Sequence, residues 1–176
     1  IAHGKVNPCG RQLDASIQGT YDPLCNQCDH VLKALPTSES AAQKPVSYYG
    51  LTKVQQEQIV KLAASIEGIQ YSILRLQNVY GPGQSLANPY TGILGIFAKL
   101  AYQGDDILVF EDGLESRDFI YIDDVVDSLT CLSDAMADRN MVVNVGTGHA
   151  VSVLEAANRV NDYFGGKSKI KITGSV

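Results

Sequence analysis

The stretch S-Y-Y-G-L-T-K, Ser47 to Lys53, opens a long amphipathic run that stops at Gly68 and leads directly into I-Q-Y-S-I-L-R-L, residues 69–76. Apolar side chains at Leu51, Val54, Ile59, Leu62 and Ile66 recur at helical spacing, which predicts a helix from Ser47 to Glu67 closed by Gly68. The run after it is rich in β-branched and aromatic residues and has the length of one strand. Helix followed at once by strand is the joint from which α/β proteins are built.

The alternation continues outward from this joint. N-V-Y-G-P-G-Q (78–84) reads as turn chemistry. A second helix fits Gly92 to Tyr102 with Gly104 beyond it. I-L-V-F (107–110) and R-D-F-I-Y-I (117–122) read as short strands, and Asp123 is placed to cap a helix running to about Asp138. M-V-V-N-V-G (141–146) is a further strand. Ser152 with Glu155 three residues on forms a capping box for a helix to Phe164, ended by Gly165 and Gly166, and K-I-K-I-T closes the pattern as a strand. Strands alternating with helices predict an α/β fold with a mostly parallel sheet. Residues 1–45, rich in Gly, Pro, Asn, Asp and Cys without periodicity, read as an irregular, cysteine-bearing segment or insertion, and 46–176 as the regular part.

At 176 residues the chain is long enough for one sizeable core. Its net charge of −5 is spread along the sequence, so it carries no footprint for nucleic acid or an anionic membrane surface. Its apolar runs fall far short of the ~20 residues that span a bilayer. Residues 1–20 lack a secretory pattern, and a cytoplasmic location is expected.

Tyr49 and Lys53 are four residues apart and share a helix face. A phenol in water ionises near ~10, too high for a base at neutral pH, but a fixed positive charge close by favours the phenolate. Such a pair can move protons near pH 7. Tyr-x-x-x-Lys is also common by chance. What sharpens it is the ordered set that follows: L-R-L-Q-N-V-Y-G-P-G-Q (74–84), R-D-F-I-Y-I-D-D-V (117–125) and N-V-G-T-G (144–148).

Together, over residues 45–165, these motifs resemble the extended short-chain dehydrogenase/reductase family, the NAD-dependent nucleotide-sugar epimerases and dehydratases. The resemblance implies the later part of a Rossmann-like, doubly wound parallel sheet with part of a small substrate-binding domain. It implies NAD, or NADP, as cofactor and a nucleotide-sugar as substrate. Tyr49 takes the family's acid/base role and Lys53 that of the residue that holds the nicotinamide ribose and tunes the tyrosine, with Leu76 and Val79 bordering the nicotinamide. Asn78 and Arg117 fall on the substrate's diphosphate, and Gln84, Asn88 and Tyr90 on the substrate pocket. Without the family, Asn78 reads as a satisfied loop residue and Arg117 as a surface ion pair to Glu115 or Asp118. Asn144, Gly146 and Gly148 match a structural strand exit. The family's glycine-rich pyrophosphate loop and its catalytic serine are absent from this stretch, so a fragment is expected, one that neither holds NAD tightly nor turns over alone. Family members often dimerise through the tyrosine-bearing helix, so a homodimer is expected of the full-length protein.

Cys25-Asn-Gln-Cys28, with Cys9 sixteen residues earlier, has the spacing of a zinc half-site, with His3 and His30 the nearby candidates for a fourth ligand. Free thiols are the competing reading. Cys131 reads as a small buried hydrophobe on a helix. Two functions from different classes therefore stand: a nucleotide-sugar epimerase or dehydratase, and a non-catalytic binding or regulatory module on the same fold, zinc-stapled or not.

Overall fold

The computed structural model describes residues 6, 19, 21–88, 91–135 and 140–175. Its elements run α1 (Tyr48–Glu67), β1 (Ser72–Leu76), β2 (Asn78–Tyr80), α2 (Ile93–Gln103), β3 (Ile107–Val109), β4 (Ser116–Tyr121), α3 (Ile122–Ala135), β5 (Met141–Val145), β6 (Ala150–Ser152), α4 (Val153–Tyr163) and β7 (Ile170–Ile172). β1 pairs with β5 from Ser72↔Met141 to Leu76↔Val145, β2 with β4 from Asn78↔Phe119 to Tyr80↔Tyr121, and β3 with β7 from Ile107↔Ile170 to Val109↔Ile172. These three ladders are parallel, in keeping with the alternation of strands and helices. Before α1, the described chain is turns and one antiparallel bridge, Leu24↔Val31.

The chain divides into two compact units. One holds residues 84–117 and 150–176 together with the N-terminal 1–35. Its core is formed by Phe97 and Ala101 of α2, Ile107 and Val109 of β3, and Val153 and Ala157 of α4. Buried Asn161 closes the turn after α4 with two bonds: its Nδ2 donates to the Ser168 carbonyl at 3.0 Å, and its Oδ1 accepts the Ser168 N–H at 3.1 Å. The other unit holds 36–83 and 118–149. Ile120, Val125 and Val145 form its core, with Leu74, Val79 and Val143 packed against them.

Three expectations are corrected. The segment after Leu76 is not wholly turn, because Asn78–Tyr80 pairs with β4 and its backbone groups are used in a ladder. Asp123 is not a cap, since α3 starts one residue earlier at Ile122 and leaves Asp123 and Asp124 in its first turn, where they favour the helix dipole. Cys131 is exposed on α3 rather than buried.

The largest difference concerns α1. Its ends are as expected: the Ser47 Oγ accepts the Gly50 N–H at 3.0 Å, and Gly68 closes the helix at φ 66°, a left-handed conformation that costs glycine little. The apolar stripe, however, is not the buried side. Leu51, Ile59, Leu62 and Ile66 are all exposed, and the covered side is Gly50, Val54, Glu57, Lys61 and Ala64, centred on a charge. Arg75 on β1 explains it: a guanidinium facing the helix needs an anion opposite, and Glu57 supplies one.

Candidate active site and its supporting network

Tyr49 and Lys53 sit in the first two turns of α1, and both are exposed. The Lys53 Nζ lies 5.4 Å from the centre of the Tyr49 ring, within cation–π range. It also donates to the Gln56 Oε1 at 3.2 Å. The pair is thus formed within the helix and opens outward; Tyr49, at 73% exposure, is not packed onto a strand end.

The same helix side continues through Glu57, which holds α1 to the unit. Glu57 is 7% exposed and accepts Arg75 Nη2 at 2.7 Å, Arg75 Nε at 3.1 Å, Lys61 Nζ at 2.8 Å and Gln43 Nε2 at 2.7 Å. Arg75 is the main reason its carboxyl is lowered to about 2; burial opposes the shift, while Lys61 and Gln43 add to it. Arg75 also donates from Nη1 to the Glu39 carbonyl at 2.9 Å. Asn144 on β5 completes the hold on this segment: its N–H donates to Glu39 Oε1 at 3.0 Å and its Nδ2 to the Thr37 carbonyl at 2.8 Å. The Asn144 N–H is the leading cause that keeps the Glu39 carboxyl below its ordinary range. β1 and β5 therefore fasten the stretch that leads into the Tyr49 helix.

Leu76 ends β1 and is 47% exposed, whereas Val79 is half-buried against the core. Asn78 opens β2 and is exposed, with its Nδ2 donating to the Asp118 carbonyl at 3.2 Å. The Asp118 carboxylate takes three bonds from another side. Oδ1 accepts the Thr147 N–H at 3.0 Å and the Thr147 hydroxyl at 2.6 Å, and Oδ2 accepts the Gly148 N–H at 2.8 Å. Burial works against its charge, but these bonds, led by the Thr147 hydroxyl, outweigh it and hold the carboxyl below the usual range. Gly146 is required here, since a Cβ would stand 2.5 Å from Asp118 Oδ2 and 2.6 Å from Gln77 Cγ.

In the other unit, Arg117 pairs through Nη2 with Glu115 Oε1 at 2.7 Å, one of the two partners its sequence suggested. Gln84 is half-buried and lies over Gly95, and the exposed Asn88 gives its carbonyl to the Thr91 N–H at 3.1 Å. Tyr90, Cys9 and His3 lie outside the described residues. Cys25 is buried and Cys28 half-buried, both as free thiols. Hydrogen bonds led by the Gln27 N–H lower the Cys25 thiol, while His30 turns its Nδ1 to the Cys28 carbonyl at 2.9 Å. Among the described residues no three His, Cys, Asp or Glu side chains are grouped to hold a metal, so the zinc expectation gains no support.

Sequence reasoning missed Glu57, Arg75 and the side chain of Asp118. Asp118 stood inside a quoted motif but was weighed only as a partner for Arg117. Glu57 offered one signal, an acidic residue one turn after Lys53 on the same helix side.

Parallel ladders alternating with helices, with a tyrosine and a lysine one turn apart on the helix before β1, define a Rossmann-type protein of the short-chain dehydrogenase/reductase class. The chain belongs to the NAD dependent epimerase/dehydratase family, whose sequence model matches residues 27–146. It is 41% identical over 122 residues to a dTDP-L-rhamnose 4-epimerase of Burkholderia thailandensis, covering 69% of this chain and 34% of that protein. Its structure is similar to the UDP-glucose 4-epimerase of Thermotoga maritima solved with UDP-glucose, at a TM-score of 0.74 and 31% identity, over 82% of this chain and 46% of that one. It is also similar to the UDP-glucuronic acid 4-epimerase of Bacillus cereus in complex with UDP-glucuronic acid and NAD, with a TM-score of 0.70, 26% identity, and coverage of 82% and 45%. The chain spans between a third and a half of the length of these relatives. Among the described residues no helix is long and apolar enough to cross a membrane.

Proposed function

We propose that the protein carrying this chain is an NAD-dependent nucleotide-sugar epimerase or dehydratase in which Tyr49 is the acid/base and Lys53 the charge that favours its phenolate. The observation that carries this reading is the Tyr49–Lys53 pair itself: an ammonium 5.4 Å from the phenol ring, both exposed, at the start of a helix inside the family match. The residues present fit the nicotinamide end of the cofactor. Besides the Tyr49 ring, Lys53 has an exposed hydrogen bond to Gln56 in its own helix, which exchanges readily for a ribose hydroxyl. Leu76 offers exposed apolar surface at the end of β1, and Val79 lies beyond it. The chemistry NAD supplies when bound is reversible acceptance of a hydride from the sugar carbon that bears the reacting hydroxyl.

In this reading Tyr49 takes the proton from that hydroxyl and later returns it. Asn78 and Arg117 hold the diphosphate, Arg117 by exchanging Glu115 for phosphate oxygens that match its planar donors. Gln84, Asn88 and Tyr90 contact the sugar. The exposed arc Leu51, Ile59, Leu62 and Ile66 on α1 supplies the face of a homodimer.

The test is turnover of the full reading frame on UDP- and dTDP-sugars. Tyr49→Phe keeps the ring and removes the proton carrier, so turnover falls on the order of a hundredfold or more while the melting temperature is kept. Lys53→Met slows the reaction and weakens NAD binding together. Near-normal turnover in a folded Tyr49→Phe protein would remove the acid/base assignment and leave a binding module.

A further inference from the structure

The function proposed above gives Asp118 no role in the proton or hydride chemistry, yet its side chain is heavily bonded at the start of β4. Its carboxylate takes three donors, the N–H and hydroxyl of Thr147 and the N–H of Gly148. Those donors belong to the turn that leaves β5, and Gly146 in the same turn comes so close to Asp118 and Gln77 that no side chain fits there. The turn is tied further by its own bonds: the Thr147 hydroxyl accepts the His149 N–H at 3.2 Å, and the Thr147 carbonyl meets His149 Nδ1 at 3.0 Å. Three fixed donors occupy most of the roughly four acceptor sites of a carboxylate. It is a fixed anion around which backbone is arranged.

What it arranges is specific. The Asp118 carbonyl takes one N–H of the Asn78 amide at 3.2 Å, which fixes the amide plane and leaves the second N–H of an exposed side chain to a ligand. Arg117 is the residue before it in the chain, so the peptide that begins the Asp118 clamp also carries the Arg117 backbone.

We infer that Asp118 is a positioning residue for recognition of the nucleoside diphosphate, holding the Asn78 amide and the start of β4 in register through the Thr147–Gly148 turn. The inference rests on the diphosphate roles proposed above and adds a residue that touches neither substrate nor cofactor. Asp118→Asn is the sharp perturbation. It is nearly isosteric, but an amide nitrogen in place of Oδ2 opposes the Gly148 N–H with a donor, so the clamp opens on one side.

The experiment uses the protein expressed from its full reading frame, with UDP, dTDP and GDP as binding probes by titration calorimetry and steady-state turnover of the sugar nucleotide it accepts. Asp118→Asn is expected to raise the Kd of the preferred diphosphate and the KM of its sugar nucleotide together by on the order of tenfold, with kcat within about twofold. Thr147→Val, which removes the hydroxyl that donates to Asp118 and accepts the His149 N–H, moves Kd and KM the same way by a smaller factor, and Thr147→Ser restores them. A merely structural role gives the opposite split, a loss of kcat through a smaller active fraction with Kd and KM unchanged, and that result overturns the inference. Should Asp118→Asn fail to fold, the Thr147→Val and Thr147→Ser pair decides it alone. Arg117→Ala and Asn78→Ala separate the two levels. If they weaken diphosphate binding while the Asp118 and Thr147 variants do not, the positioning role is wrong and the site stands; if they too leave Kd unchanged, the diphosphate reading falls and this inference with it.

Discussion

Replacing Arg75 with methionine tests what seats the Tyr49 helix. The substitution keeps the length of the side chain and removes both guanidinium bonds to Glu57 and the one to the Glu39 carbonyl. Glu57 then remains 7% exposed with only Lys61 and Gln43 to satisfy it. Its carboxyl is lowered from 4.5 to about 2 in the intact network, chiefly by Arg75, and at ~1.4 kcal/mol per pH unit that shift is worth about 3 kcal/mol. The range for breaking a buried ion pair, roughly 3–5 kcal/mol, agrees. The sign follows from linkage: a carboxylate whose folded value is depressed stabilises the fold above its unfolded value and loses that contribution as pH falls toward the folded one. Urea unfolding at pH 7 should therefore show Arg75→Met less stable by about 3 kcal/mol. The difference between the two proteins should shrink below pH 4.5 to less than half by about pH 3 and nearly vanish near pH 2. Adding Glu57→Leu to Arg75→Met should recover most of the loss, because no buried charge is then left unpaired. A loss under about 1 kcal/mol at pH 7, or one equally large at pH 3, would refute the view that this pair seats the helix.

Two further outcomes can be checked by the same unfolding measurements. Gly146→Ala forces a methyl to 2.5 Å from Asp118 Oδ2, so the turn after β5 must shift, at a cost of roughly 1–3 kcal/mol. Ser47→Ala removes the acceptor for the Gly50 N–H and should cost about 1 kcal/mol, read also as faster amide exchange in the first turn of α1, the turn that carries Tyr49.

Glu57 and Glu115 differ in what they can be asked to do. Glu57 is buried, four times bonded and shared with the strand, so its contribution is to stability and to where α1 lies. The Glu115–Arg117 pair is partly exposed, with side chains 32% and 43% accessible, and such pairs contribute little and exchange easily. In the function proposed above, that weak pair is what lets the Arg117 guanidinium exchange Glu115 for a diphosphate.

The sequence by itself determined the elements and their order. Ser47 and Gly68 mark the ends of α1, Ser152 and Glu155 the start of α4, and the strand runs at 72–76, 107–109, 116–121, 141–145 and 170–172 lie within or overlap the segments read as strands, because caps and periodicity are local and act whatever lies elsewhere in the chain. It also marked Tyr49 and Lys53, whose proximity needs only one helical turn. Tertiary structure alone decided which side of α1 is covered. Hydrophobic periodicity pointed to Leu51, Ile59, Leu62 and Ile66, but one arginine on β1 outweighed that stripe, since a half-buried guanidinium facing the helix must find an anion. Tertiary structure alone likewise brought Asp118 to Thr147 and Gly148, twenty-nine and thirty residues away. A carboxylate's partners at that separation are fixed by how parallel strands are laid side by side, which no local pattern records.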